Sequence, residues 1–197
     1  MRIFGIDPGS TRTGYGCVET DGRRHSLIAC GAITMAAGDS FPQRLARIHR
    51  ELARLLASHQ PDCVAVESIF HAVNARSALK LGHARGVAIL AAVEAGCDVV
   101  EYTPAEIKRA VVGYGRAEKH QVQRMIKLLL GLPKAPASHD AADALAVAIC
   151  HLHSGPWSGP RRSSAQAGQV RPSEPDKARS TRTTPRSWRQ YRPPAHG

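Results

Sequence analysis

Residues 2–34 hold three strand-type runs, RIFGID, YGCVET and HSLIACGAIT, joined by connections too short for a crossover. Parallel neighbours need a connection of about a dozen residues or more, so these three runs form an antiparallel meander. The pattern then changes. FPQRLARIHRELARLLASHQ sets Leu45, Ile48, Leu52, Leu55 and Leu56 at helical spacing with arginines opposite. PDCVAVES is a continuous apolar run of the kind buried on both faces, and after an intervening helix it lies parallel to the first strand. ARSALKLGHARGVAILAAVEAG, CDVVEY, PAEIKRAVV and AEKHQVQRMIKLLLGL continue as helix, strand, helix, helix, and a last helix opens at Ser138. A meander extended by strands alternating with helices predicts an α/β domain with a mixed five-stranded sheet flanked by helices on both faces.

A composition break near residue 153 divides the chain. His151 to Gly197 holds nine Lys/Arg, two acids and seven of the thirteen prolines, with few apolar residues and no periodicity. Such a stretch buries too little apolar surface to offset its ordering entropy. We therefore expect a folded domain over 1–153 and a disordered basic Pro/Arg/Ser-rich tail over 154–197. The formal charge of +11 points to a polyanionic partner, although the tail carries most of it. No apolar run approaches a membrane span, and the N-terminus opens on strand-type residues, so a cytoplasmic protein with no membrane partner is expected. The five cysteines are scattered without a CxxC pair, which argues against structural zinc and a disulfide framework.

Acids stand where a core would not place them. Asp7 closes the first strand ahead of Pro8-Gly9, and Glu67 closes the apolar run CVAV. Ligands in open sheets bind at the carboxyl ends of parallel strands, and if the first and fourth strands are parallel neighbours these two acids sit side by side. In SHDAADALA, Asp140 and Asp143 are three apart on one face of an alanine-rich helix capped by Ser138. Singly, Asp7 reads equally as a turn residue, and the helical pair as first-turn acids complementing the helix dipole. Gathered together, four carboxylates would repel one another, a conflict that a hard, oxygen-preferring cation such as magnesium removes. Two such ions are the usual arrangement for in-line phosphodiester cleavage.

Four segments in order, GIDPGSTRTGYG, VAVESIFHAVNARSALKLGHARGVAI, VVGYGRAEKHQVQRMI and DAADALAVAICH, resemble the bacterial RuvC-type Holliday junction resolvases. The resemblance runs collinearly from residue 1 to about 153. It implies an RNase H-like fold, a homodimer, cytoplasmic residence, and Mg2+ dependence with two ions per site and Mn2+ as a possible substitute. It also implies symmetric nicking of two opposed strands of a four-way DNA junction in recombination and repair, leaving ligatable ends, in partnership with the RuvA–RuvB branch-migration complex. The catalytic and metal-binding set carried over is Asp7, Glu67, Asp140 and Asp143; His139 is out of register with the family motif and reads as a flanking residue.

For DNA, Phe70 matches a family aromatic beside the metals that resembles a stacking platform, against its ordinary reading as a core residue; such stacking is worth about 1–3 kcal/mol per base. Lys108 and Lys119 match basic positions near the cleaved strand, and Arg76 on the long helix is a further phosphate-contact candidate; for each, a solvated helix face is the plain alternative. Apolar residues on more than one face of that helix suit either a dimer contact or a central core helix. Competing readings are a junction-binding protein without catalysis, an ATPase of the actin and Hsp70 type, and an RNA-directed relative. The first would lack acids, the second needs two domains and a second phosphate loop, and Phe70 with ARSALKLGHARGVAI opposes the third.

Overall fold

The structure is a computed structural model that describes residues 1–68, 74–136 and 138–154. Phe70 and the tail from residue 155 onward lie outside the described residues. The strands are β1 (Arg2–Asp7), β2 (Arg12–Thr20), β3 (His25–Thr34), β4 (Cys63–Glu67) and β5 (Asp98–Tyr102). The helices are α1 (Phe41–His59), α2 (Ala75–Glu94), α3 (Pro104–Val112), α4 (Lys119–Leu129) and α5 (His139–Ser154). The sheet order is β3-β2-β1-β4-β5; β1–β2 and β2–β3 are antiparallel, while β1–β4 and β4–β5 are parallel. The expected mixed sheet is therefore present, and all five cysteines are free thiols. Strand β2 begins three residues earlier than its sequence suggests, because Arg12 and Thr13 pair with Thr34 and Ile33 of β3.

Strand alternation sorts the core into two layers. From β1 and β4, Phe4, Ile6, Val64 and Val66 pack beneath α1 and α2 with Ile48, Leu52, Leu56 and Ala88. Ile3, Cys63 and Ala65 face the other way, toward α3, α4 and α5. By the same period Asp7 and Glu67 point to the α5 side, which is why strand ends with apolar interiors deliver their acids to one face.

Helix α5 is buried on nearly every side, from Ala141 and Ala142 through Ala144 to Cys150. Its alanines let it lie close over the sheet, and the sheet answers with glycines. A methyl group added at Gly5 would lie 2.0 Å from the Ala144 carbonyl oxygen, and one at Gly14 2.0 Å from that of Asp140. At these two positions the backbone of the helix passes so close that only a residue without a side chain fits. Ser138 caps the helix as expected, its Oγ accepting from the Ala141 N–H at 3.1 Å.

Candidate active site

The parallel register pairs Ile6 with Val66, so the next residues, Asp7 and Glu67, end adjacent strands side by side. Asp7 also pairs across β2 with Gly14, the residue over which the first turn of α5 passes. That contact brings Asp140, and one turn on Asp143, to the end of β1. The turn after Asp7 is pinned by Thr13, a fully buried residue whose hydroxyl donates to the Gly9 carbonyl at 2.9 Å.

These acids sense one another. Asp7 is pushed from its ordinary 3.8 up to about 8, first by burial and then by the charge of Glu67, with which it shares a hydrogen bond, and by Asp143 and Asp140. Glu67 is also raised, chiefly by burial, with Asp143 adding to the rise and the Asp7 hydrogen bond, Lys119 and Lys108 opposing it. A carboxylate in low dielectric beside its own kind keeps its proton; Asp7 and Glu67 thus form a proton-sharing pair. The other two acids are neutralised differently. Lys119 Nζ lies 3.4 Å from Asp143 Oδ2, and Arg12 Nε lies 2.9 Å from Asp140 Oδ2.

All four predicted acids therefore fall in one cluster built from β1, β4 and α5, and Lys108 and Lys119 flank it from α3 and α4. The N-terminus of α3 is set by a reciprocal cap between Thr103 and Glu106. Arg76 lies exposed in the first turn of α2, with no contact tying it to the acids among the described residues. His139 is engaged by the Gln123 amide.

Arg12 is the residue that sequence reasoning missed. Its signal was the two-residue period: Arg12, Gly14, Gly16 and Val18 share the face of β2 turned to α5, but only if the strand begins at Arg12.

The donor set suits a hard divalent cation: four oxygen-bearing side chains whose mutual repulsion such an ion would relieve. Among the described residues, no three His, Cys, Asp or Glu side chains are already drawn together as ligands. Arg12 and Lys119 offset the charges of Asp140 and Asp143.

A sheet with acids at the ends of its first and fourth strands, completed by a pair from a final helix, defines the RNase H-like class of metal-dependent nucleases. Residues 3–151 match the family described as crossover junction endodeoxyribonuclease RuvC. A protein of that name from Koribacter versatilis is 55% identical over 154 residues, covering 78% of this chain and 93% of that protein. One from Trichlorobacter lovleyi is 50% identical over 193 residues, covering 98% of this chain and all of the relative. The solved structure of Thermus thermophilus RuvC in complex with Holliday junction substrate matches with a TM-score of 0.74 at 36% identity, over 78% of this chain and 93% of that one. The chain belongs to the RuvC family of crossover junction endodeoxyribonucleases.

Proposed function

We propose that this enzyme resolves four-way DNA junctions by metal-assisted phosphodiester hydrolysis, with Asp7, Glu67, Asp140 and Asp143 as its catalytic, metal-holding acids. The observation that carries the reading is the convergence of four carboxylates from three elements on one strand end, with Asp7 driven up to about 8. Such a cluster is costly unless a divalent cation occupies it. Two Mg2+ ions, replaceable by Mn2+, are the expected occupants; when bound they supply an activated water and charge for the leaving oxygen. Asp7 and Glu67 must give up their shared proton, and Asp140 and Asp143 must be released by Arg12 and Lys119. Lys108 and Lys119 hold strand phosphates, contacts that give affinity rather than sequence information. Phe70 is proposed to stack on a base at the crossover, and Arg76 to contact a phosphate.

A homodimer suits paired, symmetric nicks, since two opposed strands need two equivalent sites. Helix α2 supports it. Leu79, Leu90 and Val93 are 65%, 49% and 58% exposed, and Leu79 and Leu90 line a groove with Ala78, Gly82, Gly86 and Val87. Residues 1–153 would form the nuclease domain and 154–197 a basic tail that adds phosphate affinity. Among the described residues no helix is long and apolar enough to cross a membrane. Cytoplasmic residence and work beside RuvA–RuvB complete the proposal.

The test is cleavage of a synthetic four-way junction in magnesium, comparing wild type with Asp7→Asn and Glu67→Gln. Paired symmetric nicks, lost in both variants while binding persists, are expected. Binding without cleavage by wild type in either magnesium or manganese would instead favour a non-catalytic junction binder.

A further inference from the structure

We propose that Arg12 is a positioning residue that holds Asp140 until a divalent cation takes that carboxylate, and then turns its guanidinium to a phosphate of the bound DNA strand. The inference rests on the resolvase reading and assigns a role within the same site.

Three observations lead to it. First, Arg12 Nε lies 2.9 Å from Asp140 Oδ2, so the guanidinium occupies an oxygen that a metal would need. Second, its location is built in: the β2–β3 ladder starts at Arg12↔Thr34, and the preceding turn folds so closely that a methyl group added at Gly9 would lie 2.1 Å from the Arg12 carbonyl oxygen. Third, the side chain is 49% exposed, so the arginine that guards the acid already stands at the solvent boundary where a strand would arrive.

Charge drives the exchange. A cation bound by Asp140 repels the guanidinium and withdraws its partner. An arginine keeps its own charge at every accessible pH, and once freed its planar fork of donors matches a phosphate. Lys108 and Lys119 approach the acids from α3 and α4, whereas Arg12 approaches from β2. Released, it would supply a phosphate contact on the side those lysines do not cover. Metal loading and DNA gripping would thereby be coupled: the ion that readies the acids also frees a binding group.

The experiment uses the full chain as wild type, Arg12→Ala and Arg12→Lys. Thermal melting is followed against Mg2+ without DNA, and junction affinity against salt, in Ca2+ and in EDTA. Removing the competing cation lets the Ala variant load magnesium at roughly two- to fivefold lower concentration, as loss of a part-exposed ion pair allows. In Ca2+ the same variant loses about one unit of the log–log salt slope, the mark of one phosphate contact, and in EDTA it loses none. Arg12→Lys keeps the slope. Unchanged or weaker magnesium loading by Arg12→Ala overturns the guarding role, and an unchanged slope in Ca2+ overturns the transfer to phosphate. If wild type binds but fails to nick the junction while both titrations behave as expected, the exchange stands and the resolvase reading fails.

Discussion

Replacing Asp7 with Asn should stabilise the metal-free protein while abolishing cleavage. Asp7 keeps its proton up to about pH 8 in the folded chain and loses it near 3.8 when unfolded. Between those values the folded state holds the extra proton, so this group's contribution to stability is full below 3.8 and is lost as pH rises through about 8. At about 1.4 kcal/mol per unit, that gap sets a ceiling of roughly 6 kcal/mol on what ionising Asp7 costs. The neighbouring acids relax and water reaches the open side of the cluster, so roughly 2–3 kcal/mol should survive. Asparagine removes the charge and can still donate to Glu67. In a domain of this size the gain corresponds to a melting temperature higher by roughly 5–10 °C. The assay is thermal unfolding in EDTA across about pH 5 to 9, where the advantage of Asp7→Asn should widen as pH rises. Added Mg2+ should then raise wild type far more than the variant. A variant that melts at or below wild type at the alkaline end, or whose advantage does not change with pH, would mean that Asp7 is ionised at little cost in the folded protein.

Three further outcomes are expected from the same geometry. Gly14→Ala forces a methyl group against the Asp140 carbonyl, so it should lift the first turn of α5, cost about 1–3 kcal/mol in denaturant unfolding, and reduce cleavage more than junction binding. Lys119→Gln should weaken binding about equally for all junction sequences and lower the salt slope by about one, measured by fluorescence anisotropy against salt. Leu79→Glu, on the exposed face of α2, should convert a dimer to a monomer in sedimentation and replace paired nicks by single ones; an unchanged mass would send the dimer contact elsewhere.

Much of this molecule can be read from local pattern. The short connections in residues 2–34 point to an antiparallel meander, and the apolar run CVAV after a helix suits a buried strand parallel to the first. Those two constraints and a period of two place Asp7 and Glu67 at one end of the sheet. The three-residue spacing of Asp140 and Asp143 puts both on one helical face, and Ser138 marks where that helix starts. The strand ends, the helix start and the shared helical face each depend on chain geometry within a few residues, which is why sequence alone determines them; that β4 lies beside β1 is decided by their pairing.

Other features exist only through space. TRTG reads as a turn until β3 arrives to pair with Arg12 and Thr13, and without that pairing the face on which Arg12 lies cannot be known. Nothing in GIDPGSTRTGYG shows that Gly14 is small because the Asp140 carbonyl passes over it. The proton shared by Asp7 and Glu67, and the cations on Asp140 and Asp143, reflect burial and distances between segments far apart in the chain. Sequence determined which carboxylates could meet; tertiary packing decided how closely, in what dielectric and against which counter-ions, because electrostatic energy depends on separation and solvent access that no local pattern encodes.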